Sequence, residues 1–73
     1  MAETREIKAD IQQTIGSFPN LGKVAAYLGW DRDKTRAYLK DVPCYRDGKE
    51  IKVLAIDLAK KINRTRFSMG DGK

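Results

Sequence analysis

The sequence is poor in the residues that enzymes and metal sites depend on. It has no histidine and one cysteine among 73 residues. The chain therefore lacks the commonest general base near neutral pH, and it cannot form an internal disulfide or a cysteine metal site. It also contains no glycine-rich phosphate loop and no clustered metal ligands. These absences predict a protein that is not an enzyme and that uses no metal, cofactor or small-molecule substrate.

Long hydrophobic runs are missing as well. The N-terminal stretch MAETREIKAD is charged from its third residue, so it lacks the apolar region of a signal peptide. No apolar run approaches the roughly 20 residues that a membrane-spanning helix needs. We therefore expect a cytoplasmic protein with reduced cysteine and no membrane partner.

Positive charge is what the sequence has in excess. Fifteen lysines and arginines face ten aspartates and glutamates, which gives a net charge of +5. In a small domain such a charge favours an anionic partner, and nucleic acid is the most abundant one. The alternative is a basic surface that keeps the protein soluble.

Hydrophobic periodicity predicts a single domain over residues 1–63, which begins with an amphipathic helix over residues 3–16. Ile7, Ile11 and Ile15 recur every four residues and share one face. If the core leaves this isoleucine face partly uncovered, the helix is a candidate for self-association.

Residues 20–40 predict two short helices that meet at Gly29. Asn20 and Asp31 can cap the two helices, and glycine tolerates the left-handed conformation that ends the first of them. Trp30 would fill the angle between the two axes. This arrangement is typical of a helix-turn-helix.

Residues 44–53 have the pattern of a β-hairpin that lies against the helices as a wing. Asp47-Gly48 is a signal for a two-residue type I′ turn, which would place Arg46 opposite Lys49. Cys44 would then pair with Ile51. By the period of two, one face carries Cys44, Ile51 and Val53, and the other carries Tyr45, Glu50 and Lys52.

The last periodic segment predicts a closing helix over residues 54–63, in which Leu54, Leu58 and Ile62 recur every four residues. A basic tail, expected to be partly disordered, follows over residues 64–73. The positive run from Lys60 to Arg66 is interpreted either as a second phosphate contact or as part of this tail.

The second helix of the predicted helix-turn-helix starts directly behind the turn and should project from the core. A helix fits the major groove of DNA, and the arginine fork matches two acceptors of guanine. Arg32 and Arg36 are four residues apart and share one face. The candidate DNA-binding residues are Arg32, Lys34, Thr35, Arg36 and Lys40 on this helix, Arg46 and Lys49 on the wing, and Lys23.

Several of these residues allow a second interpretation. Thr35 stands where an aliphatic residue is usual, so its methyl group can pack while its hydroxyl bonds back to the preceding turn. Asp33 can accept from cytosine, but a surface pair with Arg36 or Lys34 is favoured. Gly22 can admit a phosphate to the helix N-terminus or pack closely against the first helix.

Residues 20–40 can also be an ordinary pair of packed helices with a solvated charged face. In that case the hairpin is a connector whose charges protect its edge from aggregation. The corresponding function is a protein-interaction module, in which the isoleucine face and the closing helix bind a partner.

The stretch VAAYLGWDRDKTRAYLKDVPCYRDGKEIKVLAIDLAKKI resembles the excisionase-type branch of the MerR-like winged-helix domains. The similarity covers roughly residues 20–62. The matching residues are Ala25, Leu28, Gly29, Arg32 and Asp33 in the helix-turn-helix, Pro43, Tyr45, Arg46 and Gly48 in the wing, and Asp57 and Leu58 in the closing helix. The sequence departs from the pattern at Trp30, Asp31 and Thr35.

The resemblance implies a mainly α fold with a small β-hairpin, arranged as a winged helix-turn-helix, and binding to double-stranded DNA through the second helix and the wing. It also implies a sequence-specific protein of a phage or mobile element. The prediction is an excisionase-like recombination directionality factor, with a small transcriptional regulator as the alternative. Its partners would be an integrase or recombinase, or further copies of itself on adjacent sites.

Overall fold

The computed structural model describes residues 3–66, which are mainly helical and include one two-stranded antiparallel sheet. The elements follow in the order α1 (Thr4–Ile15), α2 (Leu21–Leu28), α3 (Arg32–Tyr38), β1 (Tyr45–Asp47), β2 (Glu50–Lys52) and α4 (Ala55–Thr65). The predicted helices and hairpin are therefore present. Within residues 3–66 no helix combines the length and the apolar character needed to cross a bilayer.

Helix α1 packs mainly against α4. A reciprocal capping box between Glu3 and Glu6 begins the helix, and Gly16, with a φ of 97°, ends it. Ile11 is fully buried, while Ile7 and Ile15 are half-buried against the same core. The isoleucine face is thus used mostly inside the domain, which leaves little of it for self-association.

The core lies where α1, α2 and α4 meet the segment after α3 and the end of the hairpin. Its fully buried large side chains include Ile11, Val24, Val53 and Leu58. Leu58 belongs to the periodic stripe predicted for α4, and Val24 comes from α2. Small residues, such as Ala55 and Ala59 of α4, complete the contact and allow the helix axes to approach closely.

The corner between α2 and α3 has the predicted caps. The Asn20 carboxamide oxygen accepts from Lys23 N at 2.8 Å, and the Asp31 carboxylate accepts from Lys34 N at 2.7 Å. Gly29 adopts the left-handed conformation with a φ of 75°. The Trp30 ring packs edge-on against Tyr38, with their centroids 5.0 Å apart. Helix α3 ends at Tyr38, two residues before the end of the predicted segment.

The register of the hairpin differs from the prediction. The observed pairs are Tyr45 with Lys52, Arg46 with Ile51, and Asp47 with Glu50. Arg46 therefore does not face Lys49, and Cys44 does not face Ile51. Instead, Gly48 and Lys49 form the loop.

The backbone conformation of Asp47 explains this difference. A type I′ loop needs positive φ at both of its central residues, and within residues 3–66 positive φ occurs only at glycines. Gly48, with a φ of 65°, takes the first loop position, and Asp47 stays in β1. Each residue of β1 consequently pairs two positions further along β2 than predicted. A shift of two keeps side chains on their predicted faces.

Cys44 is exposed, although the sequence places it on the same face of the hairpin as Ile51 and Val53. It lies just before β1, and its thiol donates to the carbonyl oxygen of Val42 at 3.3 Å. Partial burial of the sulfur raises the pKa of the thiol, and the negative charge of Asp57 adds to the effect.

Backbone hydrogen bonds attach the hairpin to the loop between α1 and α2. Val53 N donates to Pro19 O at 3.0 Å, and Ala55 N donates to Ser17 O at 2.9 Å. An isolated antiparallel bridge between Asn20 and Lys52 continues the same pairing. A short hairpin is marginally stable alone, so this third extended segment helps to hold it on the helical core.

The basic run at the end of the chain is partly neutralised. Asp41 bonds to Lys61 at 2.9 Å and to Arg64 at 3.2 Å. The hydrogen bond from Lys61 holds the pKa of Asp41 below its ordinary value. Helix α4 continues to Thr65, so residues 64 and 65 belong to the closing helix and not to the predicted tail. Residues 67–73, on which the rest of that prediction falls, lie outside the described part of the chain.

Loss of the α3 cap should destabilise the fold. We expect Asp31→Ala to lower the free energy of unfolding by about 1 kcal/mol, because Lys34 N loses its side-chain acceptor. Asp33→Ala removes the same charge from a side chain that is 95% exposed, and surface changes of this kind stay within about 0.5 kcal/mol. Urea denaturation compares the two variants, and equal effects would contradict the capping role.

Tyr27 should lose its phenolic proton at a higher pH than an ordinary tyrosine. Partial burial, together with a hydrogen bond to the negatively charged Asp10, raises the pKa of Tyr27 from 10.0 to about 12. The raised pKa means that the folded state holds this proton more tightly than the unfolded state. The stability linked to it is complete below pH 10 and is lost as the pH rises toward 12.

The phenol can be followed by ultraviolet absorbance as the difference between the wild type and Tyr27→Phe. We expect Asp10→Asn to lower the pKa of Tyr27, whereas Asp33→Asn, on another element, should leave it unchanged. An unchanged titration in Asp10→Asn would show that the carboxylate has no part in the shift.

Candidate nucleic-acid interface

A polar cleft lies between the first turn of α2, helix α3 and the hairpin loop. Its lining includes Gly22 of α2, Arg32 and Arg36 of α3, Lys49 of the loop, and Glu50 and Ile51 of β2. Arg32 and Arg36 are separated by one helical turn, so they point to the same side. The hairpin is hydrogen-bonded to the loop between α1 and α2, and this brings Lys49 to the same side. The cleft is therefore assembled from three separate parts of the chain.

Arg32 lies over the first turn of α2. A Cβ atom added to Gly22 would come within 3.2 Å of the Arg32 Nη2 atom. The other close neighbour is the Asn20 side chain, at 3.5 Å, and none of the three nearest atoms belongs to α1. Gly22 thus makes room for a guanidinium group, and the predicted alternative of close packing against the first helix is wrong.

Arg36 forms a surface pair with Asp33. Its Nη1 atom lies 3.3 Å from the Asp33 carboxylate, and the arginine side chain remains 59% exposed. The favoured interpretation of Asp33 as a surface partner of Arg36 is confirmed. Because such an exposed pair is weak, Arg36 can exchange Asp33 for another acceptor at little cost.

Asn20 connects the two sides of the cleft. Its carboxamide oxygen caps α2, and its amide nitrogen donates to the Glu50 carboxylate at 3.3 Å. No signal in the sequence identifies Glu50 as a cleft residue. The asparagine cap was recognisable, but nothing in the spacing of the two residues, thirty positions apart, indicates that they meet.

The electrostatics of the cleft favour an anion. Arg32, Arg36 and Lys49 contribute three cations against the single acid Glu50, and the N-terminus of α2 adds the positive end of a helix dipole. Arg32 and Lys49 take part in none of the ion pairs within residues 3–66. Their charges are therefore available to a ligand.

The other predicted basic residues lie around this cleft rather than in it. Lys23 is exposed in the first turn of α2. Lys34 folds back over the Trp30 ring, with its ammonium nitrogen 4.6 Å from the ring centroid. Lys40 is exposed but follows the end of α3, and Arg46 is exposed in β1 opposite Ile51.

Thr35 is buried, unlike the other candidate DNA-binding residues. It is fully buried, with 0% of its surface exposed, and its hydroxyl donates to the carbonyl oxygen of Asp31 at 2.8 Å. Thr35 is the buried residue of α3, whereas its neighbours Lys34 and Arg36 are exposed. The prediction of Thr35 as a DNA contact is therefore wrong, whereas the alternative of packing with a back-bonded hydroxyl is correct.

Comparison with known proteins adds no further assignment. No family model matches the chain, and the searches of curated proteins and of solved structures returned no match. What the cleft can bind is therefore inferred from its lining residues alone.

A structural role for Thr35 can be tested with Thr35→Val, which keeps the shape and removes the hydroxyl. We expect the free energy of unfolding to fall by about 0.5–1.5 kcal/mol because a buried hydrogen bond is lost. Thr14→Val is the matched control, since Thr14 is exposed on α1. Unchanged stability combined with weaker binding to DNA would show that the hydroxyl reaches the ligand instead.

Proposed function

We propose that the chain is a winged helix-turn-helix protein that binds double-stranded DNA in a sequence-specific manner and is not an enzyme. The observation that carries the proposal is the convergence of Arg32, Arg36 and Lys49 in one cleft at the N-terminus of α2. A phosphate backbone is the polyanion that such a spaced set of cations fits.

Helix α3 is proposed to enter the major groove. An α-helix with its side chains is about 10–12 Å in diameter, which suits a groove about 12 Å wide. Arg36 is the proposed base contact, because its guanidinium is exposed and loosely held by Asp33. Arg32 lies nearer to the first turn of α2 and is proposed to bind a phosphate beside it.

The first turn of α2 and the hairpin are proposed to contact the DNA backbone. Lys23 and the amide nitrogens at the helix start offer donors to a phosphate. Lys49 at the hairpin loop and Arg46 in β1 can reach the sugar-phosphate backbone or the neighbouring minor groove. Lys34 and Lys40, outside the cleft, would add to the general attraction.

The proposed biological role is that of an excisionase-like recombination directionality factor of a phage or mobile element. The support is the sequence resemblance over residues 20–62 together with the cationic cleft. The same resemblance supports a small transcriptional regulator as the second candidate. The neighbouring gene separates them, because an integrase or recombinase beside this gene would be the expected partner of an excision factor.

The proposed base contact can be tested with Arg36→Ala. We expect a loss of about 1–3 kcal/mol on the cognate duplex and a smaller loss on random DNA. Arg5→Ala removes the same charge from α1, where the side chain is 84% exposed and away from the cleft, and should change both affinities little. Equal losses on the two duplexes would reassign Arg36 to a phosphate contact.

The proposed phosphate contacts also predict a salt dependence. If about five phosphates are neutralised, log Kobs should fall with log[salt] at a slope of about −4 to −5. Lys49→Ala should make the slope less steep by about 1. Fluorescence anisotropy of a labelled duplex across a salt series measures both slopes, and a flat response would overturn the proposal of DNA binding.

A further inference from the structure

One acid lies among the cations of the cleft and is ion-paired with none of them. Glu50 lines the cleft together with three cations, Arg32, Arg36 and Lys49. Within residues 3–66 it forms none of the ion pairs, and its carboxylate accepts instead from the neutral amide of Asn20 at 3.3 Å. The cleft therefore presents cationic donors and a charged acceptor that are not ion-paired with each other.

The Asn20 side chain determines where this acceptor lies. Its oxygen caps the first turn of α2 by accepting from Lys23 N at 2.8 Å, so both ends of the carboxamide are held. That oxygen and the Arg32 Nη2 atom lie 3.5 and 3.2 Å from one point, the position of a Cβ atom added to Gly22. The Glu50 carboxylate is thus held close to the start of α2, where Arg32 also lies.

Contacts to the phosphate backbone alone do not explain an acid at this position. Phosphate oxygens are negatively charged acceptors, so a carboxylate in the interface repels them. One close pair of like charges weakens binding by about fivefold even at the dielectric constant of water. The acid instead suits a ligand that carries a hydrogen-bond donor beside its own acceptors.

The edge of a G·C base pair carries this combination of groups. In the major groove guanine offers two neighbouring acceptors, and the exocyclic amino group of cytosine is a donor beside them. An arginine fork matches the two acceptors, and a glutamate carboxylate accepts from the amino group. An A·T pair has no two neighbouring acceptors on one base. A cleft with an arginine and an acid is therefore complementary to a G·C pair.

We infer that Glu50 is a specificity-determining residue, which accepts from the exocyclic amino group of a cytosine while Arg36 binds the guanine of the same base pair. This inference rests on the proposed function, because it requires that α3 enters the major groove of DNA. Glu50 then has two effects on affinity. It weakens binding to every sequence by repelling phosphate, and it strengthens binding where a G·C pair lies against the cleft.

The effect on selectivity is measured with two duplexes. The first is selected from a duplex library with a randomised centre by the full wild-type chain, and the second is a scrambled version of the selected sequence. In fluorescence anisotropy at one salt concentration, we expect Glu50→Gln to bind the scrambled duplex about fivefold more tightly than the wild type does. It should gain nothing on the selected duplex, because the lost repulsion is offset by a weaker contact with cytosine.

The matched control is Glu6→Gln on α1. It removes the same charge from a helix that contributes no residue to the cleft, and glutamine can replace glutamate in the capping box. We expect the ratio of the two affinities to stay at the wild-type value in this variant. An equal loss of selectivity in Glu6→Gln would show that only the net charge of the chain matters and would overturn the inference.

The contact with cytosine is tested by a base analogue. Each cytosine of the selected duplex is replaced in turn by an analogue without the exocyclic amino group. We expect the replacement at one position to weaken wild-type binding by about tenfold or more, because a hydrogen bond to a charged group is lost. Glu50→Ala should be insensitive to that replacement, and replacements at the other positions should affect both proteins equally.

The outcomes distinguish failure of this inference from failure of the proposed function. Equal gains of Glu50→Gln on both duplexes, or equal losses of wild type and Glu50→Ala with every analogue, would overturn the inference while DNA binding stands. A wild type that binds neither duplex would overturn the proposed function and the inference with it. Circular dichroism identifies unfolded variants, and Glu50→Gln, which can still accept from Asn20, replaces Glu50→Ala in the analogue series if the alanine variant does not fold.

Discussion

The backbone pairing between the end of the hairpin and the loop before α2 is the constraint on which the rest of the structure depends. The bonds from Val53 to Pro19 and from Ala55 to Ser17 fix β2 beside the start of α2. Asn20 continues this connection, since one end of its carboxamide caps α2 and the other holds Glu50. Without this pairing a short hairpin would have no defined direction, and its loop lysine would not approach α3.

The cleft differs from other parts of the surface in how its positive charge is paired. Away from the cleft, several cations meet acids: Lys61 and Arg64 meet Asp41, and Lys52 meets Asp47. At the cleft, Glu50 is the single acid among the lining residues, and Arg32 and Lys49 take part in none of the ion pairs within residues 3–66. This local excess of cations, more than the net charge of the chain, supports the proposal of a polyanionic ligand.

The elements that the sequence predicts best are those with local signals. The caps by Asn20 and Asp31 and the left-handed Gly29 depend on residues a few positions apart. The isoleucine and leucine stripes likewise identify the buried faces of α1 and α4. The hairpin loop is one residue later than predicted because Asp47 does not adopt the positive φ that a type I′ loop at Asp47-Gly48 requires. The side chains of the strands stay on their predicted faces because the pairing shifted by two.

The four helices, the presence of a hairpin and the excess of cations can be predicted from the residues alone, because periodicity, capping and composition act over short distances. Which cations converge depends on the packing of the folded chain. It buried Thr35, turned Lys34 onto Trp30, and placed Arg32 over Gly22. It also brought Lys49 and Glu50 to the start of α2. These outcomes depend on how helices and hairpin pack across long sequence separations, and no local pattern in the residues encodes that packing directly.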